Sequence, residues 1–290
     1  MRRTTTLGEP AVVVDADLAR YQRKLLLVVM LSVMAFGSLM TIVTVSLNLL
    51  ADDLDSSRSI LTWTITGLMV AVAVTTPIGG KLGDLYGHKR ILLVGLAGGA
   101  VMTVACAFAW DAASLIAFRV VFGVFGGLVN PSAMSLMIHA YGDEGRAKAL
   151  GWFNFAMTGA PVIGVVVSGP LIDSQGWRPV FAGFACVTAL AFVVASLVAR
   201  PTPRQAGAPL DVAGALTLAL GVLTGLLTIS RFLPVLEEEG AVAALTDPLA
   251  IGLIVLCVGG ISAFVAVEKR TQAPLLNLKY FSRRNFTLPM

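Results

Sequence analysis

Long apolar runs, each about the length needed to cross a membrane as a helix, dominate this sequence. A spanning helix needs roughly 20 mainly apolar residues, because it rises only about 1.5 Å per residue through the hydrocarbon layer. With 57% hydrophobic and 13% charged residues among 290, the composition excludes an ordinary soluble domain. We therefore predict an all-α membrane protein with spans at 25–50, 60–79, 91–110, 112–138, 147–172, 179–199, 212–233 and 248–267.

Polar stretches separate or flank these spans. Residues 1–24 have no apolar core followed by a small-residue cleavage site, so we predict a cytoplasmic tail rather than a cleaved signal peptide. The stretch 200–210 is rich in proline and basic residues, which predicts a cytoplasmic linker. We predict that 269–290 is a cytoplasmic loop followed by the first residues of a ninth span.

The positive charges concentrate on one side of the predicted spans. Of the 21 Lys and Arg residues, 17 fall in the tail and in alternate loops. Arg58, Arg178 and Arg231 fall in the other loops, and Arg119 lies within a span. Because short cytoplasmic loops collect Lys and Arg, we predict a cytoplasmic N-terminus and a plasma (bacterial inner) membrane location. The same topology explains the net charge of +4 without a nucleic-acid partner.

The sequence carries no pattern typical of a metal, a cofactor or a disulfide. Cys106, Cys186 and Cys257 all lie inside apolar runs, at spacings that do not suggest a metal site. We expect them to be small hydrophobic residues, and we expect neither a cofactor nor enzymatic activity.

A compact charged stretch, GGKLGDLYGHKR at 79–90, separates the second and third spans. It holds Asp84 between two glycines, which permit tight backbone geometry, so we predict a turn in water here. Its spacing closely resembles the loop between the second and third helices of the major facilitator superfamily. The resemblance implies a transporter in which this Asp helps to latch two bundles on the cytoplasmic side. The predicted conformational-switch loop then comprises Gly80, Asp84, Gly87, Lys89 and Arg90.

A second copy of this spacing begins at Gly169 and includes Asp173, Gly176 and Arg178. The first copy joins spans two and three on the predicted cytoplasmic side, and the second joins spans five and six outside. Two three-helix units of opposite orientation produce this arrangement, although glycine-rich turns also coincide by chance. We predict a six-helix bundle over 25–199, built from two inverted repeats, and two additional helices over 211–268.

Arg119 is the one charged residue well inside an apolar span. A central Arg costs about 2.5–3.5 kcal/mol to insert, so we expect it to face a cavity or a polar partner within the bundle. The alternative is that its long side chain reaches the nearby outer surface. With Gly123 four residues later, it resembles the fourth-helix motif of superfamily antiporters, which implies a role in proton transfer.

The fifth span is rich in glycine and proline. Gly159, Pro161, Gly164 and Gly169 partly match the glycine-proline motif that marks proton antiporters of the superfamily. Small residues on a membrane helix also simply allow close packing, and the sequence leaves both interpretations open.

Two further stretches narrow the resemblance. Thr41 and its neighbours in the first span, with Trp63 in the second, resemble the fourteen-span drug:proton antiporter family of multidrug and quaternary-ammonium exporters. The inserted seventh and eighth spans and the segment 268–286 are similar to that family as well. The chain departs from it at Leu39, where an Asp is frequent, and at His88, where a basic residue is usual. Leucine binds neither a proton nor a cationic drug, so proton coupling through the first span is unsupported.

The resemblance implies an exporter of amphipathic, cationic small molecules that works by alternating access and uses protons. In that family the substrate lies between two six-helix bundles, and we expect transport to require a second bundle that these residues do not contain. Two alternatives stay open: an uncoupled facilitator or lipid-type exporter, and a membrane scaffold that moves no substrate. The side chains predicted to line a substrate cavity are Phe36, Met40, Asn130, Asn154 and Met157.

Overall fold

Eight helices in this computed structural model are long and apolar enough to cross a membrane. The structure describes residues 10–203, 211–239 and 247–271, in which all regular secondary structure is helical. This confirms the predicted all-α membrane fold. The helices are α1 (Pro10–Asp53), α2 (Arg58–Tyr86), α3 (His88–Ala107), α4 (Ala112–Gly142), α5 (Gly145–Gln175), α6 (Trp177–Val198), α7 (Val212–Glu239) and α8 (Pro248–Arg270).

Short polar side chains begin several of these helices. The Ser57 hydroxyl accepts a hydrogen bond from the Ile60 backbone N–H at the start of α2. At the start of α4, Asp111 and Ser114 form a reciprocal capping box, in which the Ser114 N–H donates to Asp111 Oδ1 at 2.7 Å. These bonds satisfy N–H groups that have no partner within the helix. The hydrogen bonds of the capping box also lower the pKa of the Asp111 carboxyl, chiefly through the Ser114 backbone N–H.

The predicted turn over 79–90 is wrong in extent, because most of it is helical. α2 continues to Tyr86, and α3 begins at His88, so Gly87 alone joins the two helices. The charged residues in this stretch indicated a loop, but a helix can continue beyond the membrane, where polar side chains reach water. Gly87 adopts φ 94°, and its N–H donates to the Gly83 carbonyl at 2.8 Å, which closes the end of α2.

Two other boundaries also differ from the prediction. α4 and α5 are separated by a kink at Gly142 (φ 64°, ψ −173°), whereas the predicted spans left residues 139–146 between them. α1 begins at Pro10 and continues unbroken through the first predicted span, so part of the predicted tail is helical. The predicted linker beyond residue 203 and the predicted loop and ninth span beyond Thr271 lie outside the described residues.

One apolar core draws side chains from α1 to α6. Its largest members include Leu39 of α1, Leu68 of α2, Leu96 of α3 and Phe181 of α6, all fully buried. Inside it the rings of Phe36 and Phe122 stack with centroids 4.6 Å apart. α7 and α8 pack chiefly against each other, and α7 also contacts α2.

Glycines bring α7 and α8 close together. A Cβ atom added at Gly260 would lie 2.8 Å from the Gly221 backbone nitrogen, a distance that a real Cβ does not reach. Small residues of this kind let membrane helices approach closely enough for backbone contact.

Candidate functional site

The Asp84 carboxylate is held by a histidine on the next helix. His88 Nε2 lies 3.2 Å from Asp84 Oδ1, and the imidazole is buried while the Asp84 side chain is 44% exposed. The ring lies over Gly83, where an added Cβ would come 2.5 Å from the His88 Cε1 atom. A glycine at that position is therefore required for the contact. The protonation of His88 decides whether the contact is an ion pair or a neutral hydrogen bond.

The start of α3 is tied to the end of α6. The His88 backbone N–H donates to Thr202 Oγ1 at 2.9 Å, and Lys89 Nζ donates to the Ser196 carbonyl at 2.9 Å. Arg90 is exposed, and Gly80 lies beside Pro131 of α4. The predicted switch residues thus lie along the end of α2 and the start of α3, where they contact α4 and α6 as well as each other.

The second copy of the motif has the same backbone geometry. Gly176 adopts φ 81°, and its N–H donates to the Ile172 carbonyl at 2.9 Å, so a single glycine again joins two helices. The first residues of α6 then contact Asp53 at the end of α1. Trp177 Nε1 donates to Asp53 Oδ2 at 2.9 Å, and Arg178 forms an ion pair with the same oxygen.

Basic side chains link α3 and α6 reciprocally. Lys89, at the start of α3, donates to the Ser196 carbonyl near the end of α6. Arg178, at the start of α6, donates to the Ala109 carbonyl just beyond the end of α3, at 3.2 Å. Each bond places a cation at the end of a helix, where carbonyl groups are left without partners. The pattern is what two three-helix units of opposite orientation would produce.

Arg119 is fully buried among α1, α4 and α6. Its side chain is 1% exposed, and Nη1 donates to the Leu39 backbone carbonyl at 2.7 Å. The Phe181 ring centroid lies 5.9 Å from the guanidinium carbon. Nε and Nη2 have no hydrogen-bond partner among the residues that the structure describes. Arg119 therefore does not reach the surface, and its polar partner is a backbone oxygen of the first span.

Gly123 lies in a close contact between α2 and α4. A Cβ at this position would come 2.6 Å from the Leu68 carbonyl oxygen, and one at Gly127 would come 2.7 Å from Thr75 Cβ. From the α2 side, a Cβ at Gly79 would lie 2.6 Å from the Gly127 carbonyl oxygen. These glycines allow the backbones of α2 and α4 to touch. The close packing of these two helices therefore explains a glycine at position 123.

The proline region of α5 is hydrogen-bonded to α1. Ser38 Oγ donates to the Ala160 carbonyl at 2.8 Å, and Thr41 Oγ1 donates to the Pro161 carbonyl at 3.2 Å. A Cβ at Gly164 would lie 2.7 Å from the Ser38 carbonyl oxygen. Here, too, a glycine lets two helices approach closely.

The remaining predicted residues differ in their surroundings. A Cβ at Gly159 would meet only Met34, at 3.8 Å, and one at Gly169 would meet nothing within 4 Å. Met157 and Asn154 are exposed, Met40 and Asn130 are half-buried, and Phe36 is buried in the core. An apolar cavity of about 430 Å³ between α1, α5 and α6 is lined by residues that include Met34, Ser38 and Phe184.

Sequence reasoning missed three contacts of the site. Leu39 drew attention for its side chain, whereas the contact to Arg119 comes from its backbone carbonyl, for which no sequence signal exists. Ser38 and Asp53 were also missed. Their positions gave a partial signal, because a polar residue at the centre or end of an apolar span needs a hydrogen-bond partner.

Comparisons with known proteins show which family this chain is related to. The family model described as Major Facilitator Superfamily matches residues 25–282. The chain is 31% identical over 270 residues to the multidrug transporter protein MdtP of Bacillus subtilis (strain 168). That alignment covers 92% of this chain and 48% of that protein. It is 30% identical over 262 residues to the tetracenomycin C resistance and export protein of Streptomyces glaucescens, with 88% and 46% covered. The chain therefore spans about half the length of the relatives it matches.

Solved structures share the fold at low sequence identity. The crystal structure of the POT family transporter PepTSo superposes with a TM-score of 0.55 at 14% identity, covering 86% of this chain and 55% of that one. An auto-inhibited POT family peptide transporter gives a TM-score of 0.56 at 15% identity, with 86% and 53% covered. At this identity the likeness concerns the fold alone.

Proposed function

Because the chain belongs to the Major Facilitator Superfamily, we propose that it forms the N-terminal bundle of a proton-driven exporter of amphipathic, cationic small molecules. Relatives named for multidrug transport and for export of tetracenomycin C support the drug-export class. Transport by alternating access needs a second bundle facing this one, with substrate between them. The proposal therefore concerns the product of the complete gene.

The observation that carries the proposal is the buried Arg119. A buried cation with two unpartnered nitrogen atoms is costly, and we infer that these atoms meet a partner in another conformational state. Water, a proton carrier or a substrate that reaches Nε and Nη2 during the transport cycle would supply those bonds. Because Arg119 is hydrogen-bonded to α1, a change of its partner would also change a contact of α1.

Proton coupling must proceed without a carboxylate at Leu39. Arg119 donates a hydrogen bond to the Leu39 carbonyl. We infer that the Arg119 guanidinium responds to the protonation of another group in the complete protein. A specific observation also favours the uncoupled facilitator as a second candidate. The Leu39 side chain cannot bind a proton.

Efflux from energised vesicles that contain the complete gene product tests both candidates. We expect Arg119→Ala to abolish proton-linked export while membrane insertion is retained, because the substitution removes a charge that costs about 2.5–3.5 kcal/mol to insert. Arg119→Lys should not restore full activity, since an ammonium lacks the planar donor set of a guanidinium. Arg58→Ala provides the matched control, because Arg58 is exposed at the start of α2.

A second step adds the missing carboxylate. Leu39→Asp should pair with Arg119, whose guanidinium already contacts the residue 39 backbone, and should make export more dependent on pH. Leu39→Asn has a similar shape but does not titrate, so it should not add pH dependence. If Arg119→Ala exports as well as the parent and the parent ignores a collapsed proton gradient, proton antiport fails and the facilitator remains.

A further inference from the structure

A polar cavity lies between the N-terminal part of α1 and the C-terminal end of α6. Its volume is about 570 Å³. Arg20 and Lys24 line it from α1, and Arg200 lines it from the residues that follow α6. Asp17 is the one carboxylate among the lining residues, so positive charge is in excess.

One of these cations is held in place by the neighbouring helix. The Arg200 guanidinium carbon lies 4.3 Å from the centroid of the Tyr21 ring, a cation–π contact. The Arg200 backbone N–H also donates to the Tyr21 hydroxyl at 3.3 Å. A cation that is already ordered loses less conformational freedom when it binds an anion. The cavity is therefore partly organised for a ligand before the ligand arrives.

Apolar surface adjoins the charges. Leu197 lines the same cavity and is 80% exposed, and Leu27, about one helical turn beyond Lys24, is 65% exposed. A small soluble anion would gain nothing from these leucines. A ligand that carries both a phosphate and hydrocarbon chains would use the cations and the apolar surface together.

We propose that this cavity binds the phosphate headgroup of an anionic phospholipid, whose acyl chains follow the apolar surfaces of α1 and α6. Basic pockets between membrane helices bind such headgroups at the cytoplasmic side, which is the side predicted for this end of the bundle. The site requires insertion into a membrane but does not depend on transport, so it can be tested separately from the proposed export.

Native mass spectrometry of the purified chain in detergent tests the proposal. The probes are phosphatidylglycerol and phosphatidylcholine with identical acyl chains, and the parent should prefer the former. Arg20→Gln should weaken phosphatidylglycerol binding about fivefold, the loss expected for one cation near an anionic headgroup, and adding Lys24→Gln should weaken it again by a similar factor. Asp17→Asn should strengthen it, because this substitution removes the opposing carboxylate. Phosphatidylcholine binding should change little.

Arg23→Gln is the matched control, since Arg23 is exposed on the same helix but does not line the cavity. An equal loss in Arg23→Gln would show that net charge alone sets the preference and would overturn the site, as would a parent without lipid preference. Displacement of phosphatidylglycerol by millimolar inorganic phosphate would reveal a soluble-phosphate site and overturn the lipid assignment. Elution of each variant at the parent's position in size-exclusion chromatography confirms that the fold is kept, and the single variant suffices if the double variant aggregates.

Discussion

Single glycines decide how closely the helices of this bundle approach. Gly164 and Gly169 both belong to the glycine-proline stretch of α5, yet their surroundings differ. A Cβ at Gly164 would lie 2.7 Å from the Ser38 carbonyl oxygen, whereas one at Gly169 would meet nothing within 4 Å. The motif is therefore heterogeneous, and its packing role rests on Gly164.

This difference predicts unequal effects of the same substitution. Gly164→Ala should lower stability by about 1–3 kcal/mol, because the added methyl group forces α1 and α5 apart. Gly169→Ala should change it by less than about 1 kcal/mol, since the helix preference of alanine is opposed by the contact of its Cβ with the ring of Pro170. Unfolding midpoints of the two variants in detergent provide the measurement. A Gly164→Ala variant as stable as Gly169→Ala would show that α1 and α5 do not pack in this way.

The sequence predicts the charged side chain of the site but not the backbone group that it contacts. Arg119 could be identified because a charge within an apolar run is conspicuous and costly. Its partner could not, because every residue has a carbonyl, and only the three-dimensional packing of α1 against α4 selects that of Leu39. The residues that face a substrate cavity stay a prediction for a related reason, since the rotation of each helix about its axis is set by packing.

At the scale of helices, three glycines with positive φ lie between neighbouring spans. One is Gly142, at the kink between α4 and α5, and the other two each join a pair of helices directly. Gly87 joins α2 to α3 and Gly176 joins α5 to α6, each without any further loop residue. Nothing lies within 4 Å of a Cβ built at Gly176, so any penalty for a side chain there comes from the backbone alone.

Gly176→Ala should therefore destabilise the bundle by about 1–3 kcal/mol, the cost of placing a side chain at an unfavourable backbone conformation. Gly151→Ala is the matched control, because Gly151 is helical and also has open space around it. That control should be neutral or slightly stabilising. Thermal unfolding in detergent measures both, and equal midpoints would contradict the positive φ of Gly176.

Element boundaries were less predictable than the elements themselves. All eight predicted spans correspond to helices, because their apolar length leaves few alternatives in a membrane. The ends differ where a helix continues into water: α2 extends through Lys81 and Asp84, and α1 begins at Pro10. Hydropathy identifies the membrane-spanning part of a helix, whereas hydrogen bonding and glycine geometry determine where the helix ends.

For the molecule as a whole, the reciprocal bonds between α3 and α6 place the starts of these helices at opposite ends of the bundle. Lys89 reaches the last turn of α6, and Arg178 reaches the residues just after α3. The two motif copies therefore lie on opposite sides of the membrane if α3 and α6 cross it. Which copy faces the cytoplasm is a prediction from the distribution of Lys and Arg.

Cysteine labelling from outside intact cells tests that orientation. Cys106, Cys186 and Cys257 are first replaced by alanine, because all three are free thiols. In this background Asp173→Cys should react with an impermeant maleimide, while Arg90→Cys should react only after the cells are opened. Both positions are exposed, so access to the reagent rather than burial decides the result. Arg90 is a better choice than Lys89, whose side chain supports α6. Labelling of Arg90→Cys in intact cells, with Asp173→Cys protected, would reverse the orientation and place the lipid-headgroup cavity at the outer leaflet.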